Sequence, residues 1–242
     1  VDGPQPPEVF NDALHIELTG TQTAAGREYV VQTETLTEEN GSQFVGTWLY
    51  RQDHSGLFVL ESPVATAPVA ASMLRSTDAA LAAVRPAQRD AFRRASAEVA
   101  LRMSAARDGA RGLWRRGGPR DGEITMLRYP FFIGARWTVR TDPFFGRVIE
   151  GREGLELPAG AVRAWRLRGL SDLFGPNDRV HFWYSRVGFV QLAAHLEADA
   201  TDASGSVIGK VIGDQRYELR GLSLVGRDPR SIMADELAAI ER

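Results

Sequence analysis

The feature that most constrains the fold is a series of short segments in which apolar and polar side chains alternate. Residues 14–21, Leu-His-Ile-Glu-Leu-Thr-Gly-Thr, follow this pattern, which is typical of a strand with one buried face. Segments of similar texture recur within 27–51, 56–62 and 123–225. The turn markers between them are Asn40-Gly41, Asp142-Pro143, Pro158-Ala159-Gly160, Gly175-Pro176-Asn177-Asp178 and Asp202-Ala203-Ser204-Gly205. The pattern predicts a mainly β chain with antiparallel strands.

One long stretch departs from this texture. Residues 65–111 are rich in alanine and arginine and poor in β-branched residues, which predicts a helical insertion. Pro86 suits the first turn of a helix that runs to about Gly109. Residues 229–242 are predicted to form a C-terminal helix. The apolar stripe of the inserted helix recurs at steps of three and four residues: Phe92, Ala95, Val99, Met103 and Ala106.

We expect a short tether followed by one domain. Residues 1–9 contain three prolines and predict an extended tether, and residues 10–242 are predicted to form a single β-rich domain. The expected fold class is α+β, with a curved antiparallel sheet or half-barrel. An alternative follows from an internal spacing, because 24 residues separate Gly26 from Tyr50 and also Gly160 from Tyr184. Two similar β-meanders, joined through the helical insertion, would give this spacing.

Composition excludes several classes of function. The net charge of −2 gives the protein no overall field that would select nucleic acid. There is no cysteine, so disulfides, thiolate zinc sites and cysteine nucleophiles are excluded. No apolar run approaches the roughly 18 residues of a membrane-spanning helix.

No motif for catalysis, a cofactor or a metal stands out. The four histidines, His15, His54, His181 and His195, lack the spacing of a ligand set. Glu150, Glu153 and Glu156 alternate with arginines on strand-like segments, which favours a solvated face over an acid–base pair. We therefore expect a protein that is not an enzyme and that has no catalytic residue, metal site or cofactor.

Aromatic residues on the strands are the candidates for ligand binding. In a strand, Phe182 and Tyr184 share one face while His181 and Trp183 share the other. If the sheet curls, one set fills its concave side, either as packed core or as the lining of an apolar pocket. The candidate ligand-binding residues are Trp48, Tyr50, Trp137, Trp165, Phe182 and Tyr184.

The inserted helix offers a second candidate surface. Residues 85–120 hold ten arginines and three acidic residues. Arg89, Arg93 and Arg94 are the candidate contacts for an anionic partner or membrane surface. The alternative is a solvated helix face whose apolar stripe packs on the sheet. Nucleic acid is disfavoured, because only Phe92 and Trp114 interleave with the arginines.

Three short motifs occur in order along residues 127–192. Residues 129–137 read Tyr-Pro-x-x-x-Gly-x-x-Trp, residues 158–160 read Pro-Ala-Gly, and residues 183–190 read Trp-Tyr-x-x-x-Gly-Phe-Val. This series resembles the TapB-like group of uncharacterised bacterial lipoprotein-type domains. The resemblance implies export to the periplasm or cell envelope, a β-rich fold and no particular reaction. It also implies a lipid anchor on a cysteine that is absent from this sequence, with residues 1–9 as the tether.

The sequence therefore predicts a non-catalytic cell-envelope protein that binds an apolar small molecule or lipid within a curved sheet. The alternative is a structural or interaction protein that docks an anionic partner or membrane through its arginine-rich helix. The sequence does not indicate the oligomeric state.

Overall fold

A computed structural model describes residues 13–37, 39, 41–60, 84–111 and 123–222. These residues form two compact units, one with residues 13–60 and 123–127, the other with residues 84–111 and 128–222. The predicted tether, the first part of the helical insertion (65–83) and the C-terminal helix lie outside the described residues. The single domain over 10–242 stays a prediction.

The first unit is built on a five-stranded antiparallel sheet. Its strands are β1 (Ala13–Ala24), β2 (Arg27–Thr37), β3 (Gln43–Asp53), β4 (Gly56–Leu60) and β5 (Glu123–Arg128), paired in that order. Ala25 and Gly26 join β1 to β2 with φ angles of 47° and 73°. Positive φ at both central residues is the geometry of a type I′ hairpin turn, whose twist matches that of the strands.

The second unit contains a six-stranded antiparallel sheet. Its strands are β6 (Arg136–Thr141), β7 (Phe144–Leu157), β8 (Gly160–Ser171), β9 (Arg179–Ser185), β10 (Gly188–Thr201) and β11 (Val207–Glu218). Each pairs with its neighbours in the chain, so this sheet is also a meander. Turns fall at residues 142–143, 158–159 and 176–177 and near 203–205, which confirms the predicted turn positions in this unit.

One helix packs on this second sheet. Helix α1 (Arg89–Arg111) follows a 3-10 turn at Pro86–Gln88, with proline at the predicted first turn. Ala95, Val99 and Ala106 of the predicted stripe are buried. Glycines in β11 allow the close approach: a Cβ on Gly209 would lie 2.4 Å from Phe92 Cζ, and one on Gly213 would lie 2.5 Å from Val99 Cγ1.

The prediction of a single sheet needs correction, whereas the curved or half-barrel shape stays a prediction. The described strands form two separate sheets, and neither is closed. Strand β5 is the edge of the first sheet, and residues 129–135 after it form a loop. The alternative of two meanders agrees better with the strand order. The registers differ by one residue, since Tyr50 pairs with Val30, whereas Tyr184 pairs with Trp165 rather than with Ala164.

Both faces of the second sheet carry buried side chains. The face under α1 includes Phe145, Leu167, Phe182 and Leu192, all of them fully buried. The opposite face has an apolar cluster of Leu157, Val162, Ala164, Trp183 and Val190. The predicted division of Phe182 and Tyr184 from Trp183 is therefore confirmed, because strand alternation holds along β9.

Candidate functional site

The six predicted ligand-binding residues lie on two different sheets. Trp48 and Tyr50 belong to β3 of the first unit. Trp137, Trp165, Phe182 and Tyr184 lie on β6, β8 and β9 of the second unit. They form separate groups that have different environments.

The indole of Trp48 lies over the backbone of Gly46. A Cβ on Gly46 would be 3.3 Å from Trp48 Nε1, so the ring occupies the space that a side chain would fill. Trp48 is buried, and its Nε1 has no hydrogen-bond acceptor within the described part of the chain. The neighbouring pair Gln32 and Glu34 is joined by a 2.9 Å hydrogen bond from Nε2 to Oε1.

Phe182 and Tyr184 line a buried arginine rather than an open pocket. The side chain of Arg147 is fully buried, with its guanidinium 5.0 Å from the centre of the Phe182 ring and 5.3 Å from that of Tyr184. Its Nη1 donates to Tyr184 Oη at 3.1 Å, and its Nη2 donates to the carbonyl of Gly109 near the end of α1. Arg147 thus joins β7, β9 and the helix.

A half-buried group of aromatic rings lies further along the same face. Trp165 is four residues, or about 13 Å, from Gly169, which lies opposite Arg147 in the ladder. The Phe131 ring meets Trp165 edge-on at 5.7 Å, and Tyr129 lies 5.2 Å from Phe131. We call Tyr129, Phe131, Trp165 and Arg152 the aromatic cluster.

Arg152 gives this cluster a charged edge. Its guanidinium carbon lies 5.7 Å from the centre of the Trp165 ring, and the arginine itself is exposed to solvent. Burial is the larger reason why the pKa of Tyr129 is raised, and nearby Tyr184 adds to it. The cluster therefore combines partly accessible ring surface with one accessible positive charge.

The opposite face of the second sheet carries charged groups around Glu150. Arg166 Nε and Arg168 Nε each lie 3.3 Å from the Glu150 carboxylate, and His181 Nε2 lies 3.2 Å from it. Burial lowers the pKa of His181, although its contact with Glu150 opposes that shift. The predicted solvated face of alternating glutamates and arginines is thus a set of cross-strand ion pairs.

His195 forms a second polar group on that face. Its Nδ1 lies 2.7 Å from Asp214 Oδ1, and its Nε2 lies 3.1 Å from Glu197 Oε1. Hydrogen bonds to Asp214 and then to Glu197 raise the pKa of His195. Lys210 and His195 lower the pKa of Glu197 to about 2. The network joins β10 to β11 by charge.

These opposite shifts can be measured directly. We expect the ring protons of His195 to titrate above the ordinary pKa of 6.5 and those of His181 to titrate below it. The charged form of His195 then stabilises the fold below pH 6.5, and this contribution is lost as the pH rises through the raised pKa. NMR titration checks both values, with Asp214→Asn expected to lower only that of His195. A His181 that titrates above His195 would contradict the assignment.

The first unit contains a carboxylate that sequence reasoning missed. Glu123 Oε1 accepts hydrogen bonds from Tyr29 Oη and Arg51 Nε, both at 2.7 Å. Its Oε2 accepts from Arg27 Nη1 at 2.6 Å and from Arg51 Nη2 at 3.0 Å. The bond to Arg51 is the main cause that lowers the pKa of Glu123. No local pattern could reveal this group, because 72 residues separate Arg51 from Glu123.

The three predicted partner-binding arginines all make contacts within the second unit. Arg93 and Arg94 are exposed and Arg89 is half-buried. The contacts join Arg89 Nε to Val84 O at 3.0 Å, Arg93 Nη1 to Asp90 Oδ1 at 2.6 Å and Arg94 Nη2 to Thr201 O at 3.1 Å. Arg89 and Arg93 therefore make contacts at the N-terminal end of the helix, and Arg94 joins the helix to β10.

Within 13–60, 84–111 and 123–222, no three His, Asp or Glu side chains are arranged to hold a metal ion. In the same ranges no helix combines the length and the apolar character needed to cross a bilayer.

Comparison with known proteins gives distant structural likenesses. No protein-family model matches the chain, and no curated protein does. A proposed exported protein with a YmcC-like fold from Bacteroides fragilis is 11% identical, with a TM-score of 0.39 over 88% of each chain. A proposed lipoprotein from Parabacteroides distasonis is also 11% identical, with a TM-score of 0.37 over 88% of this chain and 87% of that one. Neither is described as TapB-like, and likeness of this degree supports no inference about this chain.

Proposed function

We propose that this protein is a non-catalytic bacterial cell-envelope protein that binds an apolar small molecule or lipid at the aromatic cluster. The observation that supports the proposal is Trp165, whose half-buried ring has Phe131 against it and the exposed guanidinium of Arg152 above it. The motif from Tyr129 to Trp137, which carries part of the resemblance to exported lipoprotein-type domains, includes two members of the cluster.

The chemistry of the cluster favours an amphipathic ligand. Aromatic rings offer a large apolar surface that loses little conformational entropy on binding. An accessible guanidinium at the edge of that surface can pair with a carboxylate or phosphate. The best match is therefore a molecule with an apolar body and one anionic group, such as a fatty acid or a phospholipid.

Two carboxylates of the described units, Glu123 and Glu150, are held by arginines in a way that supports a non-catalytic role. A general acid needs a pKa that is raised towards neutral pH. Glu123 is held by Arg51 and Tyr29, which lower its pKa, and Glu150 lies between Arg166 and Arg168. Both carboxylates are engaged in stabilising neighbouring strands.

Lipid uptake by the purified protein tests the proposal. We expect delipidated protein to retain an anionic amphiphile from an envelope lipid extract, as seen by native mass spectrometry. Trp165→Ala should weaken retention about tenfold, because one aromatic contact is lost. Arg152→Gln should weaken binding of anionic ligands but not of neutral ones.

Two control variants locate the site. Leu101→Ala removes an exposed apolar side chain from α1 and should leave retention unchanged. Trp48→Phe changes a buried aromatic side chain of the first unit and should also leave retention unchanged. Retention that is lost in Trp48→Phe but not in Trp165→Ala, or wild-type protein that takes up no lipid at all, would overturn the proposal.

A further inference from the structure

Two adjacent apolar side chains protrude at the loop between β5 and β6. Phe132 is 59% exposed and Ile133 is 68% exposed, and Ile133 is the most exposed large apolar residue in the described part of the chain. Scattered single apolar residues on a surface need no explanation, whereas a neighbouring pair at the tip of a turn is a candidate contact.

The backbone holds this pair in a fixed position. Ala135 N donates to Phe132 O at 3.1 Å, and Gly134, at φ 88°, takes the conformation that a type II turn requires at its third residue. Gly134 N donates to Ile149 O at 2.8 Å, and Ile149 N donates to Ala135 O at 3.0 Å. These bonds attach the turn to β7, so the two side chains are presented by an ordered support.

Basic side chains flank the apolar tip. Arg128 and Arg136 are exposed, and the side chain of neither makes a hydrogen bond or ion pair with another described residue. Arg128 is four residues from Phe132, and Arg136 is three from Ile133, so the Cα separations are at most about 14 Å and 11 Å. Two exposed positive charges therefore flank the tip, one on each side of it along the chain.

We infer that residues 128–136 form a membrane-docking turn, which inserts Phe132 and Ile133 into an anionic phospholipid surface. The exposed apolar area of the pair is on the order of 200 Å², far below the roughly 800 Å² per partner of a stable protein interface. A small apolar tip with flanking arginines suits the boundary between lipid headgroups and acyl chains, where anionic lipids attract the basic groups. Tyr129 and Phe131 of the aromatic cluster lie within this segment, but the residues on which docking depends, Phe132, Ile133, Arg128 and Arg136, are not members of the cluster.

Vesicle co-sedimentation tests the docking turn. We expect the full chain to sediment with vesicles of phosphatidylglycerol and phosphatidylcholine in equal parts, and not with phosphatidylcholine alone. Phe132→Ser with Ile133→Ser should weaken binding more than about a hundredfold. Arg128→Gln with Arg136→Gln should weaken it roughly thirtyfold and reduce its dependence on salt.

Matched variants separate docking from other effects. Val207→Ser with Ile212→Ser removes two side chains of similar exposure, 60% and 55%, and Arg93→Gln with Arg94→Gln removes two exposed charges from α1. Both pairs should bind vesicles like the wild type. Circular dichroism and thermal denaturation confirm that each variant is folded.

Three outcomes would overturn the inference. The first is wild-type protein that binds no anionic vesicles. This result would also be expected if the turn bound another protein instead of a membrane. The second is a folded Phe132→Ser, Ile133→Ser variant that binds as well as the wild type. The third is loss of binding in the α1 pair alone, which would place the membrane contact on the helix.

Discussion

Arg147→Ala is expected to destabilise the second unit by about 3–5 kcal/mol, because it removes a fully buried side chain and leaves a cavity. The Gly109 carbonyl and the Tyr184 hydroxyl would each lose a buried hydrogen-bond partner. The contacts of the guanidinium with the rings of Phe182 and Tyr184 would also be lost. Chemical denaturation measures the change, and hydrogen exchange in β7, β9 and the end of α1 should locate it.

Arg147→Met separates packing from hydrogen bonding. Methionine refills most of the volume but gives no donor to Gly109 or Tyr184, so we expect an intermediate loss of about 1–3 kcal/mol. Arg94→Ala is the control, since Arg94 also donates to a backbone carbonyl but is exposed, and it should cost less than about 1 kcal/mol. If the methionine variant were as stable as the wild type, the free-energy cost of burying the guanidinium charge would equal the stabilisation from its hydrogen bonds and ring contacts.

Glu123→Gln is expected to destabilise the first unit by about 2–4 kcal/mol. Both carboxylate oxygens accept hydrogen bonds, from Tyr29 and Arg51 at one and from Arg27 and Arg51 at the other. Glutamine keeps one acceptor and turns an NH₂ donor towards an arginine. Arg27 is more than half exposed, so most of the loss should come from Arg51 and Tyr29. Denaturation monitored by hydrogen exchange in β2, β3 and β5 tests this.

The same substitution should change how stability depends on pH. The pKa of Glu123 is lowered in the folded protein, so its contribution is present above the ordinary value of 4.5 and is lost as the pH falls through the lower folded value. Wild-type stability in the first unit should therefore drop at acid pH, and Glu123→Gln should flatten the drop. Glu28→Gln, an exposed neighbour of Tyr29, is the control and should leave it unchanged. An equal acid dependence in Glu123→Gln and wild type would rule out this role for Glu123.

Local patterns predicted the elements of the second unit well. The turns near Asp142-Pro143, Pro158–Gly160 and Asp202–Gly205 occur where the sequence indicated them. The division of Phe182 from Trp183 followed from strand alternation, which depends only on neighbouring residues. The stripe on α1 was likewise predicted, because a helical period is a local property.

The candidate sites were less predictable. Alternation placed Phe182 and Tyr184 on one face of their strand, but it could not tell that Tyr184 packs on a buried arginine while Trp165, its partner on the next strand, stays half-buried. Arg147 contacts the end of α1 through Gly109, whereas the printed contacts of Trp165 come from Phe131 and Arg152. The contacts of Arg147 require β7, β9 and α1 to pack together in the folded protein. The spacing of residues along the sequence does not predict that packing.

By itself, the sequence determined a mainly β chain, the turn positions of the second unit, the helix that ends at Arg111 and the opposite faces of Phe182 and Trp183, since all of these depend on neighbours a few residues apart. Only the tertiary structure decided that the strands form two sheets rather than one. It alone brought Glu123 to Arg27, 96 residues away, and placed Arg147 beneath the end of α1. The physical reason is that such contacts require long loops to close, and their free energy depends on geometry and burial that periodicity does not encode.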